Sequence, residues 1–165
     1  MTTKLRYRIN VEKFLSTLSL LAISDAIEVK IKPHTRTAQE SYIYKDLPIH
    51  NTTDISSVEL CEWADVVLVI GSSIILESLI QNKPVLYLKY LHENTTNYEK
   101  YDACWIIKSE AELKNALDAL TENINNVPYP VANVKRFISD IIYNNQRERD
   151  ILEDYVDFIV SFQKS

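Results

Sequence analysis

The chain has 165 residues, 46% of them hydrophobic, and a formal net charge of -5 from 18 basic and 23 acidic side chains. That length supports one core of ordinary size and not two, and the acidic balance, with no basic block, excludes the electrostatic footprint of a general nucleic-acid binder. No apolar run approaches the roughly eighteen residues of a membrane span, and residues 1–8 lack the apolar stretch of a signal peptide, so a cytoplasmic protein is expected.

The first expected element is a helix over residues 11–23, capped by Asn10, because Phe14, Leu15, Leu18, Leu21 and Ala22 recur at helical spacing. Residues 27–31 alternate as a short strand does, with Glu28 and Lys30 on the polar side, and Pro33 stops it. Residues 34–45 are polar without a clear period, and residues 47–50 are a candidate brief strand. Asp54 or Ser56 begins the next helix, Ser56-Ser57-Val58-Glu59 being a capping-box pattern, and that helix carries Val58, Leu60, Cys61 and Trp63 up to Ala64. The run Val66-Val67-Leu68-Val69-Ile70 suits a strand covered on both faces in a parallel sheet.

Gly71 follows that run, and it is the one glycine of the chain, where average usage gives roughly a dozen. Ser72-Ser73 opens a helix through Ile74, Ile75, Leu76, Leu79 and Ile80, closed by Asn82, and Pro84 leads into the strand Val85-Leu86-Tyr87-Leu88. Strand, tight turn, helix and strand make a βαβ unit. Residues 89–102 read as a polar loop and residues 103–107 as another strand. Ser109-Glu110-Ala111-Glu112 is a second capping box, starting a helix to about Thr121. Residues 123–130 link it to two amphipathic helices, 131–143 and 147–162. Cys61 and Cys104 lie inside apolar patterns without a second sulfur or histidine at metal spacing, which predicts two buried reduced thiols and no metal site. The sequons at Asn51 and Asn94 then read as chance matches.

Alternating strands and helices predict an α/β fold with a doubly wound parallel sheet, in one domain whose α/β core spans 1–122 and whose C-terminal helices span 131–163. Ligands of such sheets bind beyond the carboxyl ends of the strands. Gly71-Ser72-Ser73 occupies such an end: glycine permits a close backbone approach, and the serines add hydroxyl donors for a diphosphate. The same turn is equally a plain helix cap. Glu77, one helical turn after Ser73, is placed to accept hydrogen bonds from a ribose or simply to face water. Lys32-Pro33-His34-Thr35-Arg36 sets two cations and an imidazole past another strand end, as a phosphate contact or as a solvated basic loop. Lys89 to Thr96 borders the same crevice.

The block Ala64-Asp65-Val66-Val67-Leu68-Val69-Ile70-Gly71-Ser72-Ser73-Ile74-Ile75-Leu76-Glu77-Ser78-Leu79-Ile80-Gln81-Asn82-Lys83-Pro84-Val85-Leu86-Tyr87 resembles the donor-binding core of GT-B glycosyltransferases. It is similar to bacterial capsule and surface-polysaccharide transferases, to teichoic-acid CDP-glycerol glycerophosphotransferases and to the UDP-N-acetylglucosamine 2-epimerase group. Lys32-Pro33-His34 resembles the K-x-H phosphate-side motif of those families, and the resemblance covers residues 8–120 or so. It implies a Rossmann-like half of a GT-B fold that takes a nucleotide-sugar, UDP- or CDP-linked, as substrate, with no cofactor and no metal. It further implies that Gly71, Ser72 and Ser73 bind the donor diphosphate, that Glu77 binds the ribose, and that His34 is catalytic through phosphate or leaving-group charge. Arg36, Lys89 and Thr95 are implied around the same pocket.

GT-B enzymes add an N-terminal domain that binds the acceptor and usually supplies the base. The resemblance therefore implies an acceptor-binding domain or subunit as partner. A first central strand is also expected before the helix at Val11, with residues 4–8 as its remnant. Two other readings stay open: a UDP-sugar epimerase or CDP-glycerol transferase relative, and a non-catalytic nucleotide-sugar-binding or assembly subunit. The C-terminal helices fit either packing on a partner or closing this domain's own core.

Overall fold

The computed structural model describes residues 10–22, 27–32, 50–51, 54–93 and 96–143. Four expectations lie outside them: the strand remnant at 4–8, the stretch 33–49, residues 94–95, and the helix 147–162. The site candidates His34, Arg36 and Thr95 fall in those segments.

Along the chain the elements are α1 (Val11–Ala22), β1 (Lys30–Ile31), β2 (His50–Asn51), α2 (Ser57–Trp63), β3 (Val67–Val69), α3 (Ile74–Ile80), β4 (Val85–Leu88), a 3-10 turn (Lys89–Leu91), α4 (Asn97–Tyr101), β5 (Trp105–Ile107), α5 (Glu110–Glu122) and α6 (Val131–Tyr143). Local chemistry sets most of these boundaries. Asn10 Oδ1 accepts the Lys13 N–H at 3.1 Å and caps α1. Ser56 and Glu59 exchange both bonds of the capping box that opens α2. At α5 the box is half as read: Ser109 Oγ accepts the Glu112 N–H, but the Glu112 carboxylate reaches one residue further back, to the Lys108 N–H at 2.7 Å.

The end of α3 explains how the chain turns without glycine. Asn82 takes a left-handed φ of 56°. Its N–H bonds to Leu79 O, and the Lys83 N–H bonds to Ser78 O, the paired closure of a Schellman motif. Asp102 plays the same left-handed part after α4, at φ 49°.

The protein is a mixed α/β structure built on a three-stranded, all-parallel sheet in the order β3-β4-β5. Val67, Leu68 and Val69 pair with Val85, Leu86 and Tyr87, and Leu86, Tyr87 and Leu88 pair in turn with Trp105, Ile106 and Ile107. The central position belongs to β4, whose four residues are all buried, whereas β3, read as covered on both faces, is half-buried over Val67 and Leu68. β1 and β2 form a separate parallel pair, with no ladder to the larger sheet among the described residues.

Both sheet faces are covered, as parallel sheets require. On one face Val69, Val85 and Tyr87 pack with Ile75 and Leu79 of α3, Tyr98 of α4 and Phe137 of α6. On the other, Leu86, Leu88 and Ile107 pack with Leu113, Ala116 and Leu120 of α5, and Phe14 of α1 lies against them. α6 therefore contributes to this domain's own core through Phe137. Cys61 Sγ lies 3.2 Å from Ser78 Oγ and ties α2 to α3, and both cysteines are free and buried. Among the described residues no helix is long and apolar enough to cross a membrane.

Candidate functional site

The carboxyl ends of β3 and β4 bring two sequence features side by side. Beyond β3 the chain enters an exposed turn in which Gly71 adopts φ 109°, a value open to glycine and costly for a residue with a Cβ. Ser73 sits at the N-cap position of α3 with helical φ and ψ, and its side chain makes no capping bond. Ser72 Oγ receives the Ile74 N–H at 3.4 Å, a long contact. The turn thus departs from a plain serine cap, leaving the Ser73 hydroxyl exposed at the strand end. Glu77 is half-buried on α3, and its Oε2 is buried with no hydrogen-bond partner among the described residues.

Beyond β4, the described residues of the loop expected over 89–102 are instead structured. It forms the 3-10 turn, then α4, opened by a third capping box between Thr96 and Glu99. Thr96-Asn97-Tyr98-Glu99 carries the same spacing as the boxes at Ser56 and Ser109, so the signal stood in the sequence. α4 orients a polar network around the end of β4. Lys89 Nζ lies 2.9 Å from Glu99 Oε1, with both side chains mostly buried. Thr96 N and Oγ1 point at the same oxygen, at 3.4 and 3.3 Å. Tyr87 OH lies 2.9 Å from His92 Nε2 and also donates to Glu99.

Burial and charge fix the protonation states of this network. Burial drives the Tyr87 hydroxyl far above its ordinary range, with Glu99 adding to the shift, so Tyr87 remains a neutral donor. Burial also depresses His92, and the Lys89 ammonium lowers it further against an opposing pull from Glu99. The imidazole is therefore neutral near pH 7. Burial acts to raise the Glu99 carboxyl, but hydrogen bonds from Lys89 and Tyr87, together with the Lys89 charge, outweigh it and hold Glu99 below the usual carboxylate value. Tyr98, edge-on to Tyr87 at 4.9 Å between ring centroids, is pushed up to about 12 by burial.

The two features share one wall. Ile74 and Ile75, directly after the Gly-Ser-Ser turn, pack in the same cluster as Tyr87 and Tyr98. Val69, two residues before Gly71, pairs with Tyr87, two residues before Lys89, so the two segments leave neighbouring parallel strands at the same end of the sheet. Among the sequence candidates, Gly71, Ser72, Ser73, Glu77 and Lys89 gather along β3, α3 and β4. Tyr87, His92 and Glu99 join them without having been singled out. His34, Arg36 and Thr95 are among the residues not described. Within the described residues no group of three or more His, Cys, Asp or Glu side chains is arranged to hold a metal ion. Searched against protein families and curated proteins, the chain matches no family model and no curated protein.

Proposed function

We propose that this chain is the donor-binding half of a metal-independent GT-B glycosyltransferase of bacterial surface polysaccharide synthesis, acting in the cytoplasm on a UDP- or CDP-linked sugar. On this reading the three-stranded sheet is part of a Rossmann-like, doubly wound sheet. The observation that carries the reading is the Gly71-Ser72-Ser73 turn: a glycine at φ 109° at the carboxyl end of a parallel strand, followed by a serine that does not cap its helix. Such turns in parallel sheets admit a diphosphate close to the backbone. Glu77, with a buried carboxylate oxygen lacking a donor among the described residues, suits a ribose hydroxyl. The resemblance adds His34 as the group facing leaving-group charge, with Arg36, Lys89 and Thr95 around the pocket.

In the complete reaction an acceptor hydroxyl attacks the anomeric carbon, the bond from that carbon to the diphosphate oxygen breaks, and the hydroxyl proton passes to a base. The base and the acceptor site belong to a domain or subunit outside these 165 residues. This half stabilises the departing nucleoside diphosphate by fixed N–H, hydroxyl and cationic groups.

Calorimetric titration against UDP, CDP, GDP and CMP tests the reading. Saturable binding of one nucleotide, lost in the Ser72→Ala/Ser73→Ala variant and weakened in His34→Ala, is expected. A folded chain that binds none of the four would end the proposal.

A further inference from the structure

We infer that His92 is a pH-sensitive latch: the neutral imidazole keeps α4 seated at the carboxyl end of β4, and a proton on the ring releases α4 while the sheet stays folded. The inference is independent of the donor-binding reading. His92 is 6% exposed, follows the 3-10 turn beyond β4, and lies four residues before Thr96, the cap of α4. Its Nε2 is 2.9 Å from Tyr87 OH, and the two ring centroids are 5.4 Å apart. Tyr98 of α4 packs edge-on against the same tyrosine ring, and Glu99 of α4 accepts from the same hydroxyl. One side chain of β4 thus bears both the histidine and the helix.

The titratable groups around the ring, among the described residues, are Tyr87 of β4, Lys89 of the 3-10 turn, and Tyr98 and Glu99 of α4. Both tyrosines are held protonated and neutral by burial. Glu99 favours a positive imidazole, but burial and the Lys89 ammonium outweigh it and keep the ring below its ordinary pKa. A state in which the imidazolium reaches water therefore gains population as pH falls. Connectivity decides what moves with it. α4 has five residues, far below the ~12–15 that stand alone as a helix, so its order depends on its contacts with Tyr87 and Phe137. β4 is held by ladders on both sides and by packing on both faces. Drawing His92 outward loosens the first and leaves the second in place.

Amide hydrogen exchange of the full chain from about pH 8 to about pH 5.5, in low urea and with each rate divided by its intrinsic value, tests the latch. Residues 97–102 are expected to exchange faster than Val85 to Leu88 of β4. Their protection falls with pH by up to about tenfold, the bound set by an ordinary histidine value near 6.5 in the open state. Low urea leaves that opening unchanged, because a local opening exposes little surface. In His92→Gln, which does not titrate, the protection of residues 97–102 becomes independent of pH. Exchange in α4 that matches β4 and rises with urea in the same way means global unfolding and overturns the inference. Protection in α4 that ignores pH, or that falls equally in His92→Gln, overturns it too. NMR titration of the His92 ring in the wild-type chain decides the case even where the variant does not fold. A ring titrating at or above its ordinary value overturns the latch; one titrating below it, with a urea-independent loss in residues 97–102, upholds it.

Discussion

Lys89 and Glu99 stand ten residues apart in sequence and 2.9 Å apart in space, the first just beyond the central strand and the second in the first turn of α4. One carboxylate thereby closes a helix cap and an ion pair together, and it joins the last buried residues of β4 to the segment that follows. The consequences for stability, protonation and reactivity are open to direct measurement.

His92 makes folding pH-dependent. Its pKa is lowered in the fold by burial and by Lys89, so between that value and the unfolded value of about 6.5 the unfolded chain binds more protons. Its contribution is full above about pH 6.5 and is lost as pH falls through the folded-state value. Urea unfolding from pH 8 to pH 5 is expected to show this decline, and His92→Gln is expected to flatten it. An equally steep decline in the variant would transfer the effect to the carboxylates.

Gly71→Ala is expected to destabilise the protein by about 1–3 kcal/mol, since φ 109° places the new Cβ in a disfavoured region. Chemical denaturation gives the magnitude. An unchanged midpoint would show that the turn relaxes freely.

Tyr129 lies against the amino end of the central strand β4, and its hydroxyl accepts the Val85 N–H at 3.1 Å. Val85 is fully buried, so Tyr129→Phe keeps the packing and orphans an amide. A loss of about 1–3 kcal/mol follows, with faster hydrogen exchange at Val85 than in the parent. Unaltered exchange at that amide would contradict the bond.

Cys104 is fully buried, and its thiol is pushed up to about 12 by burial and by the nearby Asp102 carboxylate. The thiolate is the reactive form. Alkylation of Cys104 in native buffer is therefore expected to proceed at the rate of global opening, accelerating with urea in step with unfolding. Rapid labelling of the native chain, read by mass spectrometry of the Cys104 peptide, would place the thiol in reach of solvent.

How much of this was legible depends on the range over which each signal acts. Ser56 and Glu59, Asn10 and Lys13, and Asn82 at the end of α3 act within one helical turn, and each was readable from spacing. The βαβ unit followed because Val66 to Ile70 and Val85 to Leu88 are separated by a helix-length segment and by nothing else. Thr96 and Glu99 obey the same local grammar, but their box stands inside a polar stretch that hides α4's apolar side. That side exists only through Tyr98 and Tyr101, whose partner Phe137 arrives from α6 more than thirty residues later. The burial of His92 was illegible for the same reason. Its surroundings are Tyr87, Lys89 and Glu99, and only the tertiary fold folds that polar set inward. β4 was likewise indistinguishable from β3 by composition, and ladders on both sides, not hydrophobicity, make it the central strand.

Asn82 and Asp102 carry left-handed backbone where many proteins place glycine, and Gly71 alone keeps the unrestricted residue. A chain so poor in glycine has few free pivots once unfolded, so its random ensemble is stiffer and loses less entropy on ordering. Part of the fold's durability is thus written in the disordered state, in conformations the denatured polypeptide never gains.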